Sequence, residues 1–267
     1  MRASTTVISL ILSLLVGACG PRSGPAPGPR LSALAAQATE ALSFELLSDA
    51  PLSVGLNRVY LRVTESATGA LRSDLAPTLV PIMSMSSGKE HSAPVVGELE
   101  LVDEGLYSSR LVLSMASGEM GSWRVRVDVP QGEGRDAITV ELKDLEVAAS
   151  NRVKSFSVEA PMGMTQKHLV AMHFATAPVV GLNEVTFTVH RMDGMMTFTP
   201  VTDLKIEMVP EMPTMGHGSS GNVTPISQGD GTYVGTVSFS MTGEWLTTLT
   251  FSRGGATLGT VAFDTTL

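Results

Sequence analysis

The tetrapeptide Val54-Gly55-Leu56-Asn57 returns as Val180-Gly181-Leu182-Asn183, an offset of 126 residues (54 to 180). The same offset carries forward without gaps. Val59 meets Val185, Val63 meets Val189 and His91 meets His217, and Ser114-Met115 meets Ser240-Met241. Glu104-Gly105-Leu106-Tyr107 meets Asp230-Gly231-Thr232-Tyr233. Gly121-Ser122-Trp123 then answers Gly243-Glu244-Trp245 after a four-residue change of length. A period this long is that of a domain rather than of a solenoid turn. The chain must therefore build one module twice, and 267 residues leave room for two.

Each copy reads as β structure. Val59, Leu61 and Val63 alternate with Arg58, Tyr60, Arg62 and Thr64. In the second copy Val185, Phe187 and Val189 alternate with Glu184, Thr186, Thr188 and His190. Trp123, Val125, Val127 and Val129 share a face opposite Arg124, Arg126 and Asp128, and Trp245, Thr247, Leu249 and Phe251 do likewise. Period-2 runs broken by Gly, Asn, Asp and Ser about every ten residues predict antiparallel sandwiches. Asp230-Gly231 and Glu104-Gly105 are turn pairs, and Ser252-Arg253-Gly254-Gly255 predicts a hairpin. The expected fold class is all-β, with two tandem immunoglobulin-like antiparallel sandwiches at 39–148 and 153–267. Val153 to Met164 is a joint that carries a strand of its own, and Leu31 to Leu42 is a short helix.

The N-terminus bounds location. Met1-Arg2 precedes an apolar run from Thr5 to Val16 and small residues at 17–18, the pattern of an export signal over residues 1–18. The run is shorter than the ~20 apolar residues a membrane span needs. Val16-Gly17-Ala18-Cys19 resembles a bacterial lipobox, which implies cleavage before Cys19 and its lipidation. Gly20 follows where an Asp would mark inner-membrane retention, so the expected place is the bacterial cell envelope, at the outer membrane facing the periplasm. Residues 19–38 then form a lipidated Cys and a Pro/Gly-rich tether. Cys19 is the one cysteine, so its acylation would remove disulfides, zinc thiolates and a Cys nucleophile from consideration. A net charge of −8 argues against nucleic acid as a partner. Gly-x-Ser-x-Gly, phosphate-loop and His-Glu-x-x-His signatures are missing, so the expectation is a protein that is not an enzyme.

The chain has 15 Met against five His. Most of these thioethers suit irregular core gaps. Met212-Pro213-Thr214-Met215-Gly216-His217-Gly218 is different, because it packs two thioethers and an imidazole beside Pro and Gly. Thioether sulfur is soft and neutral and suits Cu(I), and imidazole serves either oxidation state of copper. Met215 and His217, two apart, point to one side of an extended segment. Met212 joins them only if Pro213 bends the chain. Met212, Met215 and His217 are thus the expected metal ligands. In the first copy His91 holds the register of His217, but Ser86 and Lys89 stand for Met212 and Met215. Met83 and Met85 with His91 are then a second, lesser set. Met162, Met164 and His168 form another group, while Met172 reads as core. His190, Met192, Met195 and Met196 read as a solvated hairpin tip, and Met115 and Met241 as strand ends on the core face, from which a side chain can also reach a rim site.

The Met-Pro-x-Met-x-His segment, Gly-x-Tyr at 231–233 and Phe239-Ser240-Met241-Thr242-Gly243-Glu244-Trp245 together resemble the YtkA-like domain, related to the FixH family. The resemblance covers about 178–263, and 52–142 more loosely. It implies a small exported immunoglobulin-like sandwich. FixH proteins are associated with the maturation of copper-containing respiratory oxidases. The resemblance therefore implies copper handling with Cu(I) as cofactor, and an envelope copper or oxidase-assembly protein as partner. The alternative is a non-catalytic structural or protein-interaction module of the envelope that holds no metal. A polysaccharide-binding accessory module would want more exposed aromatics than two Trp and three Tyr supply.

Overall fold

The computed structural model describes residues 30–160 and 163–267; the signal segment, Cys19 and Met162 lie outside the described residues. Residues 31–267 form one compact unit. Its first half carries β1 (Ser32–Ala38), β2 (Leu42–Ser48), β3 (Gly55–Glu65), β4 (Thr78–Met85), β5 (Glu90–Ser92), β6 (Val95–Asp103), β7 (Leu106–Leu113), β8 (Gly121–Val129) and β9 (Ile138–Leu145). The second half carries β10 (Val153–Ala160), β11 (Met164–His173), β12 (Gly181–Met192), β13 (Phe198–Pro200), β14 (Lys205–Met212), β15 (His217–Gly218), β16 (Val223–Ser227), β17 (Thr232–Phe239), β18 (Glu244–Arg253) and β19 (Ala256–Thr266).

The strands make four sheets. β1-β2-β3-β7-β6 faces β5-β4-β8-β9, and β10-β11-β12-β17-β16 faces β15-β14-β18-β19, with β13 added beside β12. Strand order is the same in both pairs, and every ladder is antiparallel. The fold is all-β, two immunoglobulin-like sandwiches. Alternation decides which side of each strand is inside. In β14, Ile206, Met208, Pro210 and Met212 are buried, while Lys205, Glu207, Val209 and Glu211 are exposed. Each fully buried aliphatic or aromatic side chain contributes roughly 1.5–3 kcal/mol. One core gathers Phe44, Leu61, Val63, Trp123 and Val125. The other gathers Phe187, Val189, Phe239, Trp245 and Phe251.

Several details repeat with the fold. Asn57 closes a local loop by accepting from Ser53 N and donating to the Ser53 and Gly55 carbonyls. Asn183 does the same with Val179 and Gly181. The hydroxyl of Tyr107 donates to the Arg72 carbonyl at 3.1 Å, and that of Tyr233 to the Val201 carbonyl at 3.0 Å. Each phenol thus pins the loop arriving from the other side of the sandwich. The predicted hairpin turn is present, with Gly254 and Gly255 at φ 57° and 86°, the left-handed pair that a two-residue turn requires.

Two expectations fail. Leu31 to Leu42 is not helical, because Ser32–Ala38 pairs with β2 from Ser32↔Ser48 to Ala38↔Ser43. The helix propensity of an Ala-rich stretch is weak, and ladder pairing outweighs it. The part of the expected tether from Ser32 to Ala38 is therefore sheet. The second failure concerns register. The offset of 126 holds for β2, β3 and β7, but Met83 lies opposite Trp123 as Leu79 lies opposite Val127. In the second sandwich Met208 lies opposite Leu249. Strand β14 is therefore shifted three further residues relative to β4.

The sandwiches meet through a small apolar junction of Val96, Val112, Leu169 and Ala171. Two polar contacts join it: Arg110 Nη2 to Asp230 Oδ2 at 2.8 Å, and Ser92 N donating to the Met195 carbonyl at 2.8 Å.

Candidate metal centre

Strand β14 ends at Met212, and the chain turns back through 213–216 into β15. The Met215 and Gly216 amides both donate to the Met212 carbonyl, at 3.1 and 2.9 Å. Gly216 takes φ 66°, which closes the turn. Met212 and His217 become direct cross-strand partners. Such partners project from the same face of a ladder. Met215 sits in the turn, 60% exposed. The structure thus reverses the expected grouping. The segment is a tight hairpin rather than an extended strand, so Met215 and His217 are not set side by side by a two-residue period. Met212 is the residue that shares a side with His217.

Met212 is 4% exposed and belongs to the second core. Gly243 makes room for it: a Cβ there would lie 2.6 Å from the Met212 methyl. His217 is half-buried, and its ring stands nearly perpendicular to that of Trp245, 6.0 Å between centroids. His217 Nδ1 lies 3.0 Å from the Gly218 carbonyl, which makes Nδ1 the protonated nitrogen and leaves the Nε2 lone pair free. Trp245 Nε1 donates to the Met241 carbonyl at 3.0 Å, fixing Met241 at the rim with its side chain 41% exposed.

The first sandwich builds the same set. Met83 pairs with His91 across β4 and β5. His91 stands edge-on to Trp123 at 5.5 Å and 88°. His91 Nδ1 lies 2.9 Å from the Ser92 carbonyl, and Trp123 Nε1 donates to the Met115 carbonyl at 2.9 Å. Gap-free comparison had put Ser86 and Lys89 in the places of Met212 and Met215. The pairing shows that Met83 is the counterpart of Met212, because the first turn is three residues longer and compensates the shift in β4. Met83 is fully buried and Met85 is half-buried on the same side.

The other groups disperse. His168 is buried and stacked on Phe156 at 4.8 Å, while Met164 is exposed at the start of β11, so the two do not form a pocket. Met172 is core, as its strand face predicts. Met195 and Met196 are exposed at the tip between β12 and β13, but His190 is 2% exposed and neither ring nitrogen has a partner. Burial pushes the His190 pKa down to about 4, against a weak opposing pull from Asp230. Burial also lowers the pKa values of His168 and His173. Among the described residues, no three His, Cys, Asp or Glu side chains gather as a metal cluster. The donors that do gather are thioethers with one imidazole. The two Trp rings were missed as parts of these sets. The signal for them lay in the Gly-x-Trp motif.

No curated protein matches this chain in sequence. Similar solved structures include the Escherichia coli adhesin FdeC, at 18% identity, covering 89% of this chain and 65% of FdeC with a TM-score of 0.26. A conserved domain protein from Bacillus anthracis is 10% identical over 89% of this chain and 90% of its own, with a TM-score of 0.35. Invasin, a bacterial integrin-binding protein, is 14% identical, and the match covers 85% of this chain and 39% of invasin with a TM-score of 0.24. The chain thus spans less than two thirds of either FdeC or invasin. Residues 165–250 match the model of the YtkA-like family, so the second sandwich carries a YtkA-like domain.

Proposed function

We propose that this is an exported, lipid-anchored copper-handling protein whose second sandwich binds Cu(I) through Met212 and His217. The observation that carries the reading is the opposition of Met212 and His217 beside Trp245, repeated as Met83 and His91 beside Trp123. The two hairpins reach the same pairing through turns of different length, so the set does not follow from a copied turn alone. A sulfur, an imidazole nitrogen with a free lone pair and an indole face suit a soft monovalent cation. Met215 and Met241, both exposed nearby in the fold, are further thioethers for the ion. Thioethers have no proton to lose, so the sulfur donors stay competent in acid. Cys19 is the expected anchor, at the outer membrane facing the periplasm, and an envelope copper or oxidase-assembly protein is the expected partner.

A second reading rests on burial. Met212 and Met83 are packed inside their cores, which is where a purely structural Met–His–Trp plug would put them. That reading gives a non-catalytic interaction module without metal. Competition between the full chain in detergent micelles and bathocuproine disulfonate separates the two. Cu(I) retention should fall at least tenfold at one site in Met212→Leu/His217→Gln, and Cu(I) should raise the wild-type Tm, since it binds only the folded state. Weak retention that is equal in both proteins ends the copper reading.

A further inference from the structure

His91 carries a feature that His217 lacks. It is 8% exposed, its Nδ1 is engaged with the Ser92 carbonyl, and its Nε2 is buried without a hydrogen-bond partner. A buried lone pair with no donor is costly, and native interiors rarely leave one. His91 also lines a cleft of about 390 Å³ between the sandwiches. Four thioethers line the same cleft. Met85 and Met115 come from the first sandwich, and Met192 and Met195 from the β12–β13 hairpin of the second. That hairpin is held there by the Ser92 amide donating to the Met195 carbonyl. The tip methionines are therefore not a solvated loop of the second sandwich alone. They form one wall of a cleft whose other wall is the His91 end of the first.

We propose that this cleft is a second soft-metal site, distinct from the Met212–His217 centre. His91 Nε2 and thioethers from both sandwiches hold one Cu(I) ion across the junction. The donor set selects the ion. Four neutral sulfurs and one nitrogen are soft, and no carboxylate is among the lining residues. Lys154 and Lys167 also line the cleft, half-buried and exposed respectively. Their charges oppose a divalent ion twice as strongly as a monovalent one. An ion bound here ties the two sandwiches together, so it stiffens the junction as well as filling the site.

Silver(I), a redox-stable stand-in of the same charge and softness, tests this on the full chain in detergent micelles. Titration is followed by calorimetry and by NMR of ¹³C-methyl-labelled methionine. The wild type should bind two equivalents, with the Met192 and Met195 methyl signals shifting on filling of one of them. Met192→Leu/Met195→Leu, which alters side chains outside both cores, and His91→Gln should each weaken that one equivalent at least tenfold. Met212→Leu/His217→Gln should remove the other. Two equivalents at wild-type affinity in Met192→Leu/Met195→Leu would overturn the cleft site. So would unshifted Met192 and Met195 methyls at saturation. Loss of one equivalent in the cleft variants, with no effect of Met212→Leu/His217→Gln, would sustain the cleft and remove the centre in the second sandwich instead.

Discussion

His91 and His217 hold the same place in their sandwiches, each opposite a buried methionine and edge-on to a tryptophan. Their surroundings differ. His91 is 8% exposed and sits under the β12–β13 hairpin of its neighbour, whereas His217 is half-buried at an end where Met215 and Met241 are exposed. The covering element differs between the copies in length, since β13 spans three residues where the first sandwich has the single bridge Thr64↔Leu71 at the matching place. Local sequence therefore builds the Met–His–Trp set, and the way the sandwiches join decides whether it is closed or open. An open end exchanges an ion with a partner more readily than a closed one, so the two sites divide into a transferring and a retaining one if both fill.

The largest effects should come from the tryptophans, which are each 1% exposed. Trp245→Ala and Trp123→Ala should each cost about 3–5 kcal/mol in denaturant unfolding. They should differ in reach. Trp245→Ala should loosen the second sandwich locally. Trp123→Ala should also free His91 and the Ser92–Met195 bond, and so raise amide exchange in the 192–196 tip of the other sandwich. Unchanged exchange there would mean that the junction does not depend on the His91 end, and the comparison would lose its physical basis.

Acid should separate the sandwiches next. His168, His173 and His190 all lie in the second, and the shared strand register places Leu42, Leu47 and Thr64 at the matching positions of the first. Each of the three imidazoles has a folded pKa below its ordinary value, so each takes up its proton at a lower pH in the fold than in the unfolded chain. The unfolded chain then binds protons that the folded chain refuses. Stability is unaffected above pH 6.5 and is lost as pH falls from there toward 4, the value for His190. His190 alone accounts for about 3 kcal/mol by pH 4. Urea unfolding across this window should show the second sandwich weakening first, and His190→Leu should flatten much of the slope. Equal acid loss in both sandwiches would place the titrating groups elsewhere.

Much of this fold was legible because period-2 alternation and turn glycines act locally. Val59, Leu61 and Val63, or Gly254 and Gly255, declare their roles within a few residues. The Ala-rich run at 32–38 did not, because its partner β2 lies beyond a turn and local propensity pointed the other way. The site was legible as composition but not as geometry. Met212, Met215 and His217 stood out as donors, yet which two face each other depends on a four-residue turn that a straight-strand argument does not contain. The kinship of Met83 with Met212 was hidden because the three-residue shift in β4 is cancelled by the longer turn before His91. The cleft was hidden for a different reason. Its donors lie at 85–115 and 192–195, and only the packing of one sandwich on the other brings them together.

The smallest effect should come from the ion pair at the junction. Arg110 and Asp230 are 2.8 Å apart, with side chains 34% and 29% exposed, so solvent screens much of their attraction. Asp230→Asn isolates this pair, because an amide oxygen can still accept from the Thr232 amide as Oδ1 now does at 2.9 Å. The expected loss is about 0.5–1 kcal/mol, shrinking as salt is raised. The apolar contact of Val96 and Val112 with Leu169 and Ala171 is untouched, as is the Ser92–Met195 bond. The His91 end should therefore stay covered, and silver binding in the cleft should keep its wild-type affinity. If Asp230→Asn instead opened the cleft, the cover over His91 would depend on charge rather than on apolar packing. The contrast between the two histidines would then vary with ionic strength, which the apolar junction predicts it should not.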